Sequence, residues 1–344
     1  MDTLSLRKEE ILEYVIKTYI DSMQPIGSRT LTKKYEINLS AATIRNEMFD
    51  LEEMGYLTHP HISAGRVPTD KGYRYFVDHL LEEEHINDDS IRMIKKEFKK
   101  KLDCIDDLIE KTSRIVSSVS QEACIAVLFR PHYFLFKQVD LIPLDERRVL
   151  AIWITTSGLI KNEIVDLREN ITSEYLQRIS IFLNSELSGL PLEEIESHIL
   201  RKLTQRRDSL YQVYQFANQI VKSTLNRKDS KVRLYLEGRN YILNKPEFHD
   251  INKTKRLFEI LEDKYGLLDM LSDDYENTII KVLIGKENRC HDLWDCSLVS
   301  AKYQLRGSCI GTINILGPKR INYSRVISLL RFISDVMTEA VNKL

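Results

Sequence analysis

The sequence lacks the features of a membrane or secreted protein. No apolar run among its 344 residues approaches the roughly 18 residues that a membrane-spanning helix needs. Its start, MDTLSLRKEEILEYVIKTYI, has neither the basic opening nor the small-residue cleavage site of a signal peptide. The five cysteines are odd in number and widely scattered, which is typical of reduced thiols. We therefore expect a cytoplasmic protein without a membrane segment.

Motifs for catalysis and cofactor binding are also missing. Residues 307–311, GSCIG, lack the spacing of a nucleophile elbow, and no Gly-rich phosphate loop follows a strand. Cys290, His291 and Cys296 offer three possible metal ligands without a fourth nearby. The cysteines that we expect in the core are Cys124, Cys296 and Cys309. The sequence predicts neither an enzyme nor a cofactor, and leaves a regulatory small molecule open.

Length and composition indicate a globular protein of several domains. A chain of 344 residues exceeds one typical core and predicts two or three domains. Charged residues make up 29% and hydrophobic residues 43%, as in folded rather than disordered proteins. Residues 1–78 hold ten Lys and Arg against twelve Asp and Glu, a net charge of −2. A DNA-binding domain is usually basic overall, so DNA contact here would depend on segregated charge and on base contacts.

The stretch from Met23 to Asp78 has the pattern of a helix-turn-helix. A short helix begins near Ser28, and after a tight connection Ser40 is placed to cap a second helix. Gly55 is placed to end that helix. The apolar residues that recur at helical spacing along it, and should face the core, are Ala41, Ile44, Met48 and Leu51. The opposite, polar face is the kind that a recognition helix presents to the major groove.

A hairpin is predicted after this helix. Residues 56–59 and 66–68 can form two short strands, and the loop 60–65, PHISAG, joins them. Such a hairpin is the wing of a winged helix-turn-helix, from which Arg66 can reach a phosphate or a minor-groove edge. Helix-turn-helix geometry also occurs in protein–protein modules. The alternative is a helical subdomain that only packs on the rest of the chain.

Several polar residues of this region are candidates for DNA contact. Arg45 and Asn46, near the start of the second helix, can pair bidentately with guanine and adenine edges. Each also has a structural alternative: Arg45 could pair with a glutamate one turn away, and Asn46 could bridge within the domain. The candidates for phosphate, thymine-methyl or register-fixing contacts are Ser28, Arg29, Ser40, Thr43 and Arg66.

The remaining chain alternates between helical and strand patterns. A long helix is predicted from Ile91 to Val119 within a linker, residues 79–120, as a coiled-coil seam or packed on the next domain. Strands are predicted at 123–129, 134–141, 149–155, 160–166, 278–284, 296–304 and 308–316, with helices over 172–225 and 323–344.

Strands, then helices, then strands again predict an α+β domain that is interrupted by an insertion. The predicted boundaries are 121–171 and 276–344 for that domain and 172–275 for the insert, after a DNA-binding domain of residues 1–78. Dimerisation through the inserted helices is one interpretation. It would use Leu176, Phe182, Leu183 and Leu187, which could instead fill the insert's own core.

Several motifs resemble the bacterial family of the heat-inducible transcription repressor HrcA. They are PIGSRTL at 25–31, ATIRNEM at 42–48, PHISAGRVPT at 60–69 and KGYRYFVD at 71–78. Later blocks are ILNKPEF at 242–248, IGKEN at 284–288 and GPKRINY at 317–323. The resemblance therefore spans nearly the whole chain.

This resemblance implies a winged helix-turn-helix followed by a GAF-like domain that an inserted dimerising domain divides. It also implies a homodimer on an inverted-repeat operator ahead of heat-shock chaperone operons, with a chaperonin that helps the repressor reach its active state. A two-fold protein requires a two-fold operator. Two other classes stay open: a regulator that senses a metabolite through the GAF-like domain, and an interaction scaffold that binds no DNA.

Overall fold

A computed structural model describes residues 4–61, 64–82, 84–98, 105–129, 135–156, 160–167, 169–192, 194–205, 211–225, 232–271, 278–305 and 308–343. This part of the chain is a mixed α/β fold. A small helical region with a two-stranded hairpin precedes a five-stranded and a three-stranded sheet. Every strand pair in the three sheets is antiparallel.

The N-terminal region begins with three helices and the hairpin and ends with a short fourth helix, α4 (Asp70–Tyr75). Its other elements are α1 (Leu6–Ser22), α2 (Ser28–Lys34), α3 (Ala41–Glu53), β1 (Leu57–Thr58) and β2 (Val67–Pro68). The apolar stripe of α1 includes Ile11 and Val15, which are fully buried. They share one core with Leu31 of α2 and with Ile44 and Leu51 of α3. The helical spacing of apolar residues therefore predicted the inner face of α3 correctly.

Helix α3 begins and ends as its sequence predicts. The Ser40 hydroxyl accepts a hydrogen bond from the Thr43 backbone N–H at 3.0 Å, which caps the N-terminus. At the other end Gly55 has a φ of +77°, a conformation that residues with a Cβ rarely adopt. The N–H groups of Gly55 and Tyr56 donate to the carbonyls of Glu52 and Leu51, both at 2.9 Å. This pair of bonds is a Schellman motif, and it turns the chain directly into the hairpin.

The hairpin is fixed to the start of α2. Ile26 and Arg66 exchange two backbone hydrogen bonds, of 2.9 and 2.8 Å. Gly65 lies so close that a Cβ on it would stand 2.5 Å from the Ile26 carbonyl carbon, so only glycine fits without a backbone shift. Residues 62 and 63 of the predicted loop lie outside the described residues. The described part of the hairpin is thus held beside the entry to α2.

The chain after the hairpin forms several separate helices. Helix α4 (Asp70–Tyr75) still belongs to the predicted DNA-binding domain, and a π-helical turn (Phe76–Leu80) follows it. The predicted linker, residues 79–120, holds α5 (Asp88–Phe98) and α6 (Ile105–Ser120). Helices α5 and α6 contact each other with Cα atoms within 8 Å. In one straight helix the residues at 98 and 105 would be about 10 Å apart along the axis. The prediction of a single long helix from Ile91 to Val119 is therefore wrong. The spacing of apolar residues does not show where a helix turns back on itself.

The larger sheet has the strand order β7-β3-β10-β9-β8. Its strands are β3 (Ala123–Phe129), β7 (Val232–Glu237), β8 (Ile280–Ile284), β9 (Cys296–Leu305) and β10 (Ser308–Pro318). Along β3, Cys124 and Ala126 face one apolar cluster while Ile125 and Val127 face another. Helix α6 and the last helix, Tyr323–Lys343, cover the first face. Helices at Arg239–Leu243, Ile251–Glu262 and Lys264–Leu271 contribute to the second cluster.

The smaller sheet has the strand order β4-β5-β6 and its own helices. Its strands are β4 (Phe136–Pro143), β5 (Arg148–Thr155) and β6 (Ile160–Asp166), followed by α7 (Ser173–Leu187), α8 (Glu194–Gln205) and α9 (Tyr211–Leu225). Helix α7 packs on β4 and α9 on β6. The helices after α9 that lie on the larger sheet are α10 (Arg239–Leu243), α11 (Ile251–Glu262), α12 (Lys264–Leu271) and α13 (Tyr323–Lys343).

The observed strand pairing does not agree with the predicted domain boundary between residues 171 and 172. Strands β4 to β6 form a sheet of their own with the helices of 172–225, whereas β7 pairs with β3. The pattern of a strand does not identify its partner, which is why β4 to β6 were assigned to the same domain as β3. Leu176, Leu183 and Leu187 of α7 are buried in the core, and Phe182 packs on Tyr214 with ring centroids 4.7 Å apart. These residues therefore fill the core between α7 and its neighbouring elements, which is the alternative to the dimer contact in the sequence analysis.

Candidate nucleic-acid interface

The outer face of α3 is a continuous exposed stripe. Ala42, Arg45, Asn46 and Phe49 are exposed, while Ile44 and the other core residues of α3 are buried on the opposite side. Their spacing from Ala42 is three, four and seven residues, so they lie on one side of the helix. The stripe carries a guanidinium, an amide and an aromatic ring, all groups that can contact base edges.

Arg45 and Asn46 are exposed and available for contact with base edges. Among the residues that the structure describes, neither side chain forms an ion pair or a hydrogen bond. The two structural alternatives, a glutamate partner for Arg45 and a bridge by Asn46, do not occur in this conformation. Both side chains can therefore meet a ligand without first breaking a contact.

Phe49 is a residue of the stripe that the sequence analysis missed. Its side chain is 51% exposed, although it is large and apolar. The signal was available, because Phe49 is out of phase with the buried Ile44, Met48 and Leu51. An exposed aromatic residue beside Arg45 extends the candidate interface toward the C-terminal half of α3.

Two acidic residues of α3, Glu47 and Asp50, pair with cations of the first helix. Lys8 donates hydrogen bonds to Glu47 and, at 2.7 Å, to Asp50. The bonds to Asp50 and Glu47 raise the pKa of the Lys8 ammonium. Arg7 adds a second cation 3.6 Å from Glu47. The net negative charge counted over residues 1–78 therefore does not represent the charge of the α3 outer face.

The other candidates occupy different environments. Ser40 is used as the cap of α3, and its hydroxyl lies 2.9 Å from the Thr43 hydroxyl. Ser28 is the first residue of α2 and half-buried, whereas Arg29 beside it is exposed. The two serines and Thr43 are thus close to helix starts, where backbone N–H groups can also meet phosphates.

Arg66 is engaged inside the N-terminal region. Its Nε lies 2.6 Å from a carboxylate oxygen of Glu52, and His59 contacts the other oxygen of the same group. The Arg66 side chain is 22% exposed. The guanidinium therefore ties β2 to the end of α3, and a phosphate would have to share it with Glu52.

Two charged residues of α4, Arg74 and Asp70, contact residues that follow or belong to strands of the larger sheet. Arg74 of α4 donates to Glu287 at 2.9 Å and to the Val282 carbonyl at 2.7 Å. Its neighbour Asp70 pairs with Lys319 at 2.8 Å. The phenyl rings of Tyr73 and Tyr323 meet between these pairs, with centroids 5.9 Å apart. Helix α4 thus docks the N-terminal region on the larger sheet and leaves the α3 stripe free.

Other functional sites receive little support from the described residues. No group of three or more His, Cys, Asp or Glu side chains among them is arranged to hold a metal. Burial raises the pKa of the Cys296 thiol to about 12, and Cys124 is buried as well. Cys309 is exposed, so its assignment to the core was wrong. It lies near the start of β10, next to the end of the strand pair, where one side of the strand faces solvent.

Of the helices that the structure describes, none combines the length and apolarity that crossing a bilayer requires.

Fold and site define a class: a mixed α/β protein whose N-terminal helical region presents an exposed polar helix face. The model of the HrcA protein C terminal domain matches residues 106–327. The heat-inducible transcription repressor HrcA of Natranaerobius thermophilus is 38% identical over 99% of this chain and 98% of its own. Its counterpart from Syntrophobacter fumaroxidans is 32% identical over 100% of this chain and 99% of its own. This chain belongs to the HrcA family.

One solved structure shares the overall fold. The crystal structure of a hypothetical protein at 2.2 Å resolution covers 99% of both chains with a TM-score of 0.64 and 21% identity. At that identity the match supports the arrangement of the elements alone.

Proposed function

We propose that this protein is a DNA-binding transcription repressor of heat-shock chaperone operons that reads an inverted-repeat operator as a cytoplasmic homodimer. The observation that carries the proposal is the exposed stripe of α3, with Arg45 and Asn46 free of partners among the described residues. A bidentate side-chain pair with one base is worth about 1–3 kcal/mol of discrimination. Family membership supports the same function, since the relatives are named heat-inducible transcription repressors.

In this proposal the N-terminal region is a winged helix-turn-helix. Helix α3 enters the major groove, α2 crosses the backbone with Ser28 and Arg29, and the β1–β2 hairpin is the wing. Ser40 and Thr43 lie at the N-terminus of α3, where a phosphate or a thymine methyl can approach. Arg66 positions the wing through Glu52 and offers its remaining donors to the backbone. The larger sheet with its helices is the GAF-like domain.

The dimer is supported by an apolar face of the smaller sheet. In β5, Val149, Ala151 and Trp153 are buried, so the alternate residues face the other side of the sheet. The aliphatic residues on that other side are Ile142, Leu150, Ile152, Ile154, Ile160 and Ile164. Ile160 and Ile164 are more than half exposed. Gln138, Asp140 and Asn162 share this side, so the aliphatic residues form an apolar patch that polar groups interrupt. An exposed apolar patch bordered by polar residues marks an interaction site, and a two-fold axis lets two copies cover it at once.

A single substitution on this face tests the dimer. We expect Ile152→Asp to convert the dimer to a monomer in sedimentation equilibrium, because it removes apolar surface from the central strand and places a second carboxylate beside Asp140. Ile181→Asp is the matched control, since Ile181 is 63% exposed on α7, which packs on the inner side of the sheet. Equal mass for both variants and wild type would refute this dimer surface.

The operator proposal is tested by fluorescence anisotropy. Wild type and Arg45→Ala are titrated at fixed, moderate salt against a labelled inverted repeat, a single half-site and a scrambled duplex. Fixed salt matters because phosphate contacts make affinity depend strongly on ionic strength. We expect wild type to prefer the full repeat and Arg45→Ala to lose about 5- to 150-fold per half-site contact. Equal, weak binding of all three duplexes, or an unchanged Arg45→Ala, would refute base reading by α3.

The chaperonin is part of the proposal on the strength of the family resemblance. A repressor whose binding-competent state is a minor population binds its operator with an affinity reduced by that fraction. A chaperonin that raises the fraction would restore repression, and unfolded clients that occupy the chaperonin would relieve it. We expect added chaperonin and ATP to increase the active fraction in the anisotropy titration. No change in active fraction would remove the chaperonin from the scheme while leaving the operator proposal intact.

A further inference from the structure

A cleft lies between the N-terminal region and the larger sheet. It has a volume of about 680 Å³, within the range of about 300–1,000 Å³ that is typical of small-molecule pockets. On one side it is lined by the turn at Gly55, by β2 and by the start of α4. On the other side lie the segments that follow β8 and β10 and the N-terminal part of α11. A ligand in this cleft would touch both regions at once.

The charged residues of the cleft are unevenly balanced. The cationic residues are Lys71, Lys253, Lys286, Lys319 and Arg320, and the carboxylates are Asp70, Glu247 and Asp295. Five cations thus face three carboxylates. An excess of positive charge in a concave surface concentrates anions from solution.

Three of the cations already have a carboxylate partner. Lys319 lies 2.8 Å from Asp70, and Lys253 lies 2.7 Å from Asp295. Arg320 donates to Glu247 at 3.0 Å and is only 9% exposed. These pairs leave little charge for a ligand and form the fixed walls of the cleft.

Lys71 and Lys286 are the two cations that no carboxylate of the described residues neutralises. The Lys71 ammonium donates to the Met54 carbonyl at 2.9 Å and lies 4.3 Å from the centre of the Tyr56 ring. The Lys286 ammonium lies 5.6 Å from the centre of the Trp294 ring. A carbonyl dipole and an aromatic face hold an ammonium group in place while leaving its full charge available. Both side chains are exposed, one from each wall.

We propose that this cleft binds a small phosphate-bearing anion between Lys71 and Lys286. An ammonium group binds phosphate as a point charge with three rotatable donors, so two of them on opposite walls suit a diphosphate group better than a single carboxylate. The backbone N–H of Lys286 is occupied by Asp70 at 3.1 Å, so the two side chains are the principal ligands. The proposal stands apart from DNA reading by α3, because Lys71 and Lys286 lie beyond the C-terminal end of that helix.

Bound anion would link the two regions through charge. Lys71 belongs to the N-terminal region, and Lys286 follows β8 of the larger sheet. A phosphate-bearing ligand that contacts both adds attraction across the boundary that α4 already bridges. By linkage, it stabilises the docked arrangement by an amount that grows with the logarithm of the ligand concentration relative to its Kd.

Isothermal titration calorimetry of the full chain with inorganic pyrophosphate tests the proposal. We expect saturable binding at low ionic strength, and an affinity about tenfold lower in Lys71→Gln and in Lys286→Gln, because each loses one of two close charge contacts. Lys71→Arg and Lys286→Arg keep the charge and should retain most of the affinity. Lys33→Gln removes an exposed lysine from α2, outside the cleft, and should bind as wild type does. Thermal unfolding of each variant without pyrophosphate separates lost binding from lost folding.

Three outcomes would overturn the proposal. The first is no saturable heat with wild type, and the second is an equal loss of affinity in Lys33→Gln. The third comes from a parallel titration with a random DNA duplex. If Lys71→Gln and Lys286→Gln weaken duplex binding while pyrophosphate gives no heat, the two lysines contact DNA phosphates and the cleft holds no small ligand.

Discussion

Helices α3 and α4 of the N-terminal region carry similar polar residues but use them in opposite ways. Arg45 on α3 is exposed and has no partner among the described residues, whereas Arg74 on α4 contacts Glu287, Asp78 and the Val282 carbonyl. Likewise the aromatic Phe49 of α3 is 51% exposed, whereas Tyr73 of α4 is 2% exposed. The outer face of α3 is free to bind a ligand, whereas α4 packs on the larger sheet. The difference arises because distant parts of the chain supply hydrogen-bond partners to α4 but not to the outer face of α3.

The largest expected contrast is between the two aromatic residues. We expect Tyr73→Ala to lower the free energy of unfolding by about 3–5 kcal/mol, because it leaves a cavity against Tyr323. Phe49→Ala should change it by less than about 0.5 kcal/mol, as exposed substitutions do. Urea denaturation followed by tyrosine fluorescence measures both.

Tyr73→Phe is the control for this pair. It keeps the ring and removes only the hydroxyl, which makes no hydrogen bond among the described residues. We expect near-wild-type stability. If Tyr73→Ala were no more destabilising than Phe49→Ala, α4 would not be a docking element and the comparison would fail.

The next prediction concerns the buried carboxylate of Glu122 and the pH dependence of stability. Glu122 is 5% exposed, and burial raises its pKa from 4.5 to about 7, opposed by Lys245 at 2.7 Å. Because the folded-state pKa lies above the unfolded one, the native state binds more protons between those values. Stability from this group is therefore fully present below about pH 4.5 and is lost as pH rises toward 7. The shift corresponds to roughly 3 kcal/mol.

Glu122→Gln removes this titration. As pH rises from 5 to 8, we expect the unfolding free energy of Glu122→Gln to increase relative to that of wild type, because only wild type loses the contribution of Glu122. Denaturant unfolding at both values gives that difference, and other titrating groups cancel in it. An unchanged difference would mean that Glu122 has the same proton affinity in the folded and unfolded chains.

The sequence predicted α3 almost completely, because each of its determinants is local. Ser40 precedes the helix, Gly55 follows it, and the apolar residues between them repeat at helical spacing. Seven of the eight strands in the larger and smaller sheets were also predicted to within a few residues, whereas β7 (Val232–Glu237) was missed. Local preferences and side-chain periodicity suffice for such features.

The sequence could not predict which cations were free. Arg74 meets Glu287 across 213 positions of sequence, and the partner of Lys8 on α3 is 39 positions away. Strand β7 was itself missed, and nothing in the pattern of a strand names its neighbour, so its pairing with β3 could not be predicted. Arg45 was expected to contact a base and Arg66 a phosphate or minor-groove edge, but only the structure shows that Arg66 is paired with Glu52. Long-range contacts, not local patterns, decide which polar residues remain available to a ligand.

The two arginines give a direct test of that distinction. We expect Arg45→Ala to leave stability within about 0.5 kcal/mol of wild type while it weakens operator binding by the 5- to 150-fold given above. Arg74→Ala should do the reverse. It leaves Glu287 and the Val282 carbonyl without their donor and should cost about 1–3 kcal/mol of stability.

Both assays are run on both variants, so each serves as the control of the other. Operator preference in Arg74→Ala, measured where the protein is folded, should remain that of wild type. If Arg74→Ala abolished the preference of a folded protein for the inverted repeat, α4 would contribute to recognition and the two helices would not be separable.

The smallest expected effect concerns Ser40, where a structural role and a binding role coincide. Its hydroxyl caps α3 through the Thr43 N–H, so Ser40→Ala should cost about 1 kcal/mol of stability. Ser28→Ala is the matched control, because α2 is preceded by Gly27 and has no side-chain cap. Ser40→Asp separates the two roles: an aspartate caps a helix as well as serine does, but its charge repels a nearby phosphate. If Ser40→Asp has wild-type stability but weak operator binding, a DNA phosphate lies near Ser40, because the aspartate and the phosphate are both negative. If Ser40→Asp has wild-type stability and wild-type operator binding, Ser40 acts only as a helix cap.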